Sequence, residues 1–222
     1  LQVFEADDAN ENGEYDQDDD KKIGRPLVLP SSGWSFTDFK TSEGGAYEEG
    51  SVHFNMSKTT SVAQKDVEIQ IRVHVSGASA DQMKFDLVIS GWNWNQEDSI
   101  LVFQFTVAES EPDQEEEMNA PSNVSKQGNR IQFGNGYMEY EEEAKAGNKT
   151  VDVKGSHGKQ EGEQAQKGHA TFLAFENFGD DTLEYDPTIG IGTGGDDVSI
   201  GSPGIWLGLS QIGRASCRER VC

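Results

Sequence analysis

The chain has 222 residues, 40 of them Asp or Glu and 18 Lys or Arg, for a formal net charge of −22. A field of that sign repels nucleic acid and anionic membrane surfaces, which argues against both as partners, and it suits cations, basic partners or a salty medium. No apolar run is long enough to span a bilayer, and the length fits one sizeable β domain.

Residues 1–30 read as an acidic linker or small appended segment, with almost no hydrophobic periodicity before Leu27, Val28 and Leu29. Within it, Asp8, Asn10, Asn12, Gly13, Asp16 and Asp19 fall at positions one, three, five, six, nine and twelve of a calcium loop, and the backbone carbonyl of Glu14 falls at the seventh. Calcium requires several hard oxygen ligands around a tight turn, and glycine at the sixth position permits that turn. The spacing resembles the calcium loops of thrombospondin type 3 repeats, which are extracellular modules. The resemblance spans these twelve residues and implies calcium as the cofactor, bound in the micromolar-to-millimolar range. Asn10 and Asn12 replace the more usual Asp, and Asp19 is shorter than the bidentate Glu that closes an EF-hand loop.

After Ser31 the pattern changes to alternation with period two. Trp34 to Phe39 and Ser51 to Asn55 are short strand candidates. The cleanest run is Val67, Ile69, Ile71, Val73 and Val75, separated by Glu68, Gln70, Arg72 and His74, which predicts a half-buried antiparallel strand. Phe85, Leu87 and Ile89 in Lys84–Trp94 repeat it, as do Leu101, Phe103, Phe105 and Val107. Further strands are expected at Ile131–Phe133, Tyr137–Tyr140, Val151–Val153, Phe172–Phe175 and Ile205–Leu209, with Glu139–Ala146 as a hairpin arm. Gly134-Asn135-Gly136 and Gly147-Asn148 read as hairpin turns. Residues 109–121 and 155–168 read as long polar loops.

Trp92 and Trp94 flank Asn93, so a continuing strand would place both indoles on one face. Such a pair either stacks on a sugar or closes the core begun by Phe85, and the core reading is the more economical. Gly190, Gly192 and Gly195 fit a dinucleotide-binding pattern formally. No βαβ unit surrounds them, and Asp196 and Asp197 would repel a pyrophosphate, so a loop between strands is expected. His53, His74, His157 and His169 show no metal-ligand spacing and read as solvated. No acidic pair stands out as a glycosidase dyad, and Ser156-His157 lacks the context of a nucleophile elbow. N-glycosylation acceptors occur at Asn55, Asn123 and Asn148.

From Asn129 onward the elements Ile131-Gln-Phe133-Gly134, Tyr137-Met-Glu-Tyr140, Phe175-Glu-Asn-Phe178 and Leu183-Glu-Tyr-Asp186-Pro187-Thr-Ile-Gly190 resemble uncharacterised archaeal surface proteins. That resemblance covers residues 129–190. It implies an exported β-rich domain, often with a C-terminal membrane tether, and no particular activity. Ile212–Cys222 resemble the translation of a sequencing-library adapter, which implies that they join no core and that the natural chain continues past Gln211. Setting them aside removes Cys217 and Cys222, the only cysteines, and leaves residues 1–211 with a formal charge of about −24.

The combined expectation is an all-β protein, an antiparallel β-sandwich of roughly eight to ten strands over residues 31–211 with an acidic N-terminal extension. The function expected is that of a non-catalytic extracellular or cell-surface domain with a binding or structural role, responsive to calcium, with glycans or other surface proteins as partners. The alternatives are a carbohydrate-binding module using Trp92 and Trp94, and a secreted glycoside hydrolase.

Overall fold

A computed structural model describes residues 1–29, 33–41, 52–62, 65–75, 82–110, 118–119, 123–134, 136–159, 168–191 and 205–207. Ile212–Cys222 and the glycines beyond residue 191 lie outside them.

Among the described residues there is no helix. Seventeen strands follow in chain order: β1 Gln2–Asp7, β2 Lys22–Val28, β3 Ser35–Thr41, β4 Val52–Val62, β5 Lys65–Val75, β6 Gln82–Ser90, β7 Ser99–Ser110, β8 Met118–Asn119, β9 Ser125–Gln127, β10 Arg130–Phe133, β11 Gly136–Glu139, β12 Glu143–Ala146, β13 Lys149–Lys159, β14 His169–Phe175, β15 Leu183–Tyr185, β16 Thr188–Ile191 and β17 Ile205–Leu207. Every pairing is antiparallel, and the strands form one large curled sheet. Its spine runs β2–β1–β7–β14–β13–β12–β15–β6–β5–β4–β3, and β16–β11–β10–β9 branches from β6. The excess over the expected strand number comes from short pieces such as β8, β9, β15 and β16.

The curl passes through β13. Its first residues, Lys149 to Asp152, pair with β12, whereas Val153 to Lys159 pair with β14. The inner face collects Val67, Ile69, Ile71 and Val73 of β5, Phe85, Leu87 and Ile89 of β6, Leu101, Phe103 and Phe105 of β7, and Leu173 and Phe175 of β14. Each fully buried side chain of this size contributes about 1.5–3 kcal/mol. The alternation of β5 follows directly, because its other face carries Glu68, Gln70, Arg72 and His74.

Within residues 1–29, β1 and β2 are strands of the sheet. β1 lies between β2 and β7, with Val3 and Phe4 almost fully buried. Periodicity is missing from Val3-Phe4-Glu5-Ala6 because both faces of β1 are covered, so there is no polar side to alternate with. The same holds for Ala170–Phe175 of β14. A second apolar cluster lies on the outer face: Phe4 and Ala6 of β1, Ile100 and Val102 of β7, and Ala170, Phe172 and Ala174 of β14, closed by Tyr15.

Two further expectations are corrected. Residues 155–159 extend β13 instead of opening a loop, and Gly190 lies in β16, paired with Tyr137. The hairpin at Gly147-Asn148 is present, joining Ala146 to Lys149 across a two-residue turn with Gly147 at φ +58°.

Candidate functional site: the acidic loop over the outer face

Between β1 and β2 the chain runs out over the outer face and back, and the side chains of Asp8, Asn10, Asn12, Asp16 and Asp20 bond amides of the loop itself. Asp8 accepts the amide of Asn12 on Oδ1 at 3.0 Å and that of Gly13 on Oδ2 at 2.7 Å. Asn10 Oδ1 accepts the Asn12 amide at 3.2 Å, and Asn12 Oδ1 accepts that of Glu14 at 2.6 Å. Asp16 Oδ1 accepts the Asp18 amide at 3.0 Å. Gly13 adopts φ +75°, the left-handed turn that its position predicts.

The closing residue is displaced by one. Asp19 is exposed, whereas Asp20 is only 6% exposed and accepts the amides of Ala9 at 3.0 Å and Asp16 at 2.7 Å. Of the two neighbours it is thus Asp20, at the thirteenth position, and not Asp19 whose carboxylate turns onto amides of the loop. A single turn in which Asp20 N–H bonds Asp16 C=O at 2.8 Å directs the later carboxylate inward. Glu14 turns its carboxylate outward into an ion pair with Lys126 of β9, leaving only its backbone to face the loop. Among the described residues, no three His, Cys, Asp or Glu side chains converge as a ready metal cluster. Amide and backbone oxygens would have to complete any coordination shell.

The loop is anchored firmly. The Tyr15 ring meets Phe4 at 5.1 Å and Phe172 at 4.9 Å between centroids, both edge-on. Ser156 Oγ donates to the Tyr15 carbonyl at 2.6 Å, and Gln17 Nε2 donates to the Lys159 carbonyl at 3.0 Å. A cleft lies on each side. One, of about 830 Å³, sets Asp8 and Glu11 opposite Glu97, Asp98, Asp152 and Glu176, with Lys154 as its one cationic lining residue among the described residues. The other, of about 480 Å³, runs beneath Glu14, Asp16 and Asp18 to His157 and His169.

Glu5 is a site residue that periodicity gave no reason to select. It is 1% exposed on the inner side of β1. Its carboxylate accepts the backbone amides of Asn95 (2.9 and 3.0 Å) and Gln96 (2.9 Å), the side-chain amide of Asn95 (2.6 Å) and the hydroxyl of Ser99 (2.6 Å). These bonds fix the segment that carries Glu97 and Asp98 into the larger cleft. A lone charge inside Val3-Phe4-Glu5-Ala6 was the available signal, since buried charges require such partners.

Trp92 and Trp94 do not form a stacking platform. β6 ends at Ser90, and Gly91 turns the chain at φ +74° against the carbonyl of Asp66. Trp92 is 4% exposed within the core, and Trp94 packs edge-on against Phe178 at 5.2 Å while its Nε1 donates to the Gly179 carbonyl at 2.9 Å.

The four histidines are not singly solvated. His53 of β4 and His74 of β5 stand opposite each other with Nδ1 atoms 2.7 Å apart, and His74 Nε2 lies 3.4 Å from Asp86 Oδ2. His157 of β13 and His169 of β14 bring Nδ1 and Nε2 to 3.2 Å. Asn123 and Asn148 are exposed, whereas Asn55 lies half-buried within β4.

In comparisons with known proteins, the chain matches no family model and no curated protein.

Proposed function

We propose that this protein is a non-catalytic extracytoplasmic β domain with a binding or structural role, in which the loop of residues 8–20 binds calcium and couples it to stability. The observation that carries the reading is the loop's inward set of oxygens. Asp8, Asn10, Asn12, Asp16 and Asp20 all turn onto amides of the loop itself, around a left-handed Gly13. Asp8, Asp16 and Asp20 place three carboxylates within one short loop, and a bound divalent cation would offset their mutual repulsion. Because Tyr15 ties the loop to the outer cluster, ordering the loop also orders the sheet beneath it.

The extracellular part of the reading rests on the acidic charge, the exposed acceptors at Asn123 and Asn148, and the resemblance of residues 129–190 to archaeal surface proteins. On this reading the curled sheet closes as a β-sandwich around the inner core.

Thermal unfolding in calcium and in EDTA tests the proposal. For an extracellular-type dissociation constant of roughly 0.1–1 mM, 5 mM calcium adds about 1–2 kcal/mol. That raises the midpoint by roughly 2–8 °C for a domain of this size. Asp8→Asn and Asp20→Asn should abolish the shift, and Asp19→Asn should preserve it. A wild-type midpoint unmoved by 10 mM calcium would remove the calcium reading.

A further inference from the structure

The chain has four histidines, and the fold sorts them into two cross-strand pairs of different geometry. We propose that His157 and His169 form a chelating site for a borderline divalent transition metal such as Zn²⁺, Ni²⁺ or Cu²⁺. This site uses ring nitrogens rather than the loop's oxygens, so it stands independently of calcium.

Register brings the two rings together. On β13 and β14, Thr171 stands opposite His157 and Lys159 opposite His169, making the two imidazoles diagonal neighbours on one face. Their ring centroids are 5.3 Å apart, and Nδ1 of His157 faces Nε2 of His169 at 3.2 Å. Two nitrogens bound at about 2.0–2.1 Å to one ion, subtending about 100° there, lie ~3.2 Å apart. The separation matches a metal's bite, and the hydrogen bond that links the two nitrogens in the metal-free protein would give way to the ion. Seven consecutive register pairs hold β13 against β14, and β14 is held on its other side by β7, so little ordering remains to be done on binding.

His53 and His74 make the contrast. Their 2.7 Å separation is shorter than the ~2.9 Å between nitrogens at 90° around such an ion, and it suits an N–H···N hydrogen bond. Asp86, 3.4 Å from Nε2 of His74, orients that ring.

The surroundings favour the ligand form of the first pair. Burial holds both imidazoles below the ordinary histidine range, and the nearby Lys126 ammonium lowers His157 further. Neutral rings bind metals without first losing a proton. Lys126 is itself paired with Glu14, and the cleft above the histidines carries Asp16 and Asp18 as well as Lys159. The hydroxyl of Thr171, fully buried opposite His157, has no hydrogen-bond partner among the described residues. A hydrated ion would bring water to this polar corner, and the cleft of about 480 Å³ has room for it. Imidazole donors select zinc, nickel or copper over calcium and magnesium.

The test is a titration of the full chain carrying Cys217→Ser and Cys222→Ser, which removes competing thiolates, with Ni²⁺ followed by calorimetry and Cu²⁺ by EPR. One nickel equivalent should be lost in His157→Gln and in His169→Gln and retained in His53→Gln. The weakening should exceed the roughly 10–100-fold that follows loss of an outer-shell partner. Copper should show coupling to two nitrogens, falling to one in either variant. An unchanged β-type circular dichroism spectrum and an unchanged urea-unfolding midpoint in the absence of metal show that the variants are folded. Nickel binding that survives both substitutions, or no nickel binding by the parent chain, overturns the proposal. Retention of nickel binding in Asp20→Asn separates its fate from that of the calcium loop.

Discussion

The ring of Tyr140 lies directly against the backbone of Gly155: a Cβ built at position 155 would come within 2.5 Å of ring carbon Cε1. Tyr140 is 2% exposed, and its hydroxyl donates to the Gly128 carbonyl at 3.2 Å, so the ring has no room to retreat. Gly155→Ala should therefore destabilise by about 1–3 kcal/mol through overpacking. Urea unfolding would measure the loss, and Gly155→Ala combined with Tyr140→Leu should recover part of it. Recovery fails if backbone freedom, rather than the ring contact, requires glycine there.

Glu5 predicts a larger loss. Its carboxylate is the shared acceptor for Asn95, Gln96 and Ser99, and hydrogen bonds to an ionised group contribute about 1.5–3 kcal/mol each. Glu5→Gln keeps the shape but turns an NH₂ toward donors. We expect a loss of about 2–4 kcal/mol, with faster amide exchange at Asn95 and Gln96. A variant that loses stability while those two amides stay protected would show that the carboxylate does not hold the segment.

Legibility in the sequence followed solvent exposure. β5 could be read because Glu68, Gln70, Arg72 and His74 face water while Val67, Ile69, Ile71 and Val73 face the core. β1 could not, because Tyr15 and its loop cover the outer side of Phe4 and Ala6, which erases the alternation. Gly155 and Gly158 looked like loop residues because composition does not reveal that Tyr140 and Gln17 press against them. In the acidic loop the spacing could be read, but not which of Asp19 and Asp20 turns onto the loop's amides, because a local turn decides it. The histidine pairs are a property of register between distant strands, and no spacing within one strand encodes that.

A polar row on the outer face of β5 and β6 gives a pH prediction. Lys84 binds Asp186 at 2.7 Å, and burial, followed by the hydrogen bond and charge of Asp186, pushes the Asp86 carboxyl above its ordinary 3.8. A raised folded-state value means that the native state holds this proton more tightly than the unfolded chain. The resulting stability is fully present below about 3.8 and is lost as pH rises through the folded-state value. The difference in unfolding free energy between wild type and Asp86→Asn should therefore fall as pH increases from that point. Urea titrations of both proteins across the acidic range would measure it, and a difference that rises with pH would reverse the assignment.

Tyr15 decides whether the acidic loop and the sheet act as one unit. Its ring sits between Phe4 and Phe172 at about 5 Å from each and is 4% exposed, making it the only aromatic residue that the loop contributes to the outer cluster. Tyr15→Ala should lower stability by about 3–5 kcal/mol, the range for truncating a large buried aromatic ring. Tyr15→Phe should cost much less, because the edge-on contacts remain. If the ring transmits order from loop to sheet, Tyr15→Ala should also shrink the calcium-induced rise in midpoint while leaving calcium uptake measurable by calorimetry. The outcome against it is a Tyr15→Ala protein that keeps the full rise, which would place the calcium response in the direct strand connections from Asp7 and Lys22 instead.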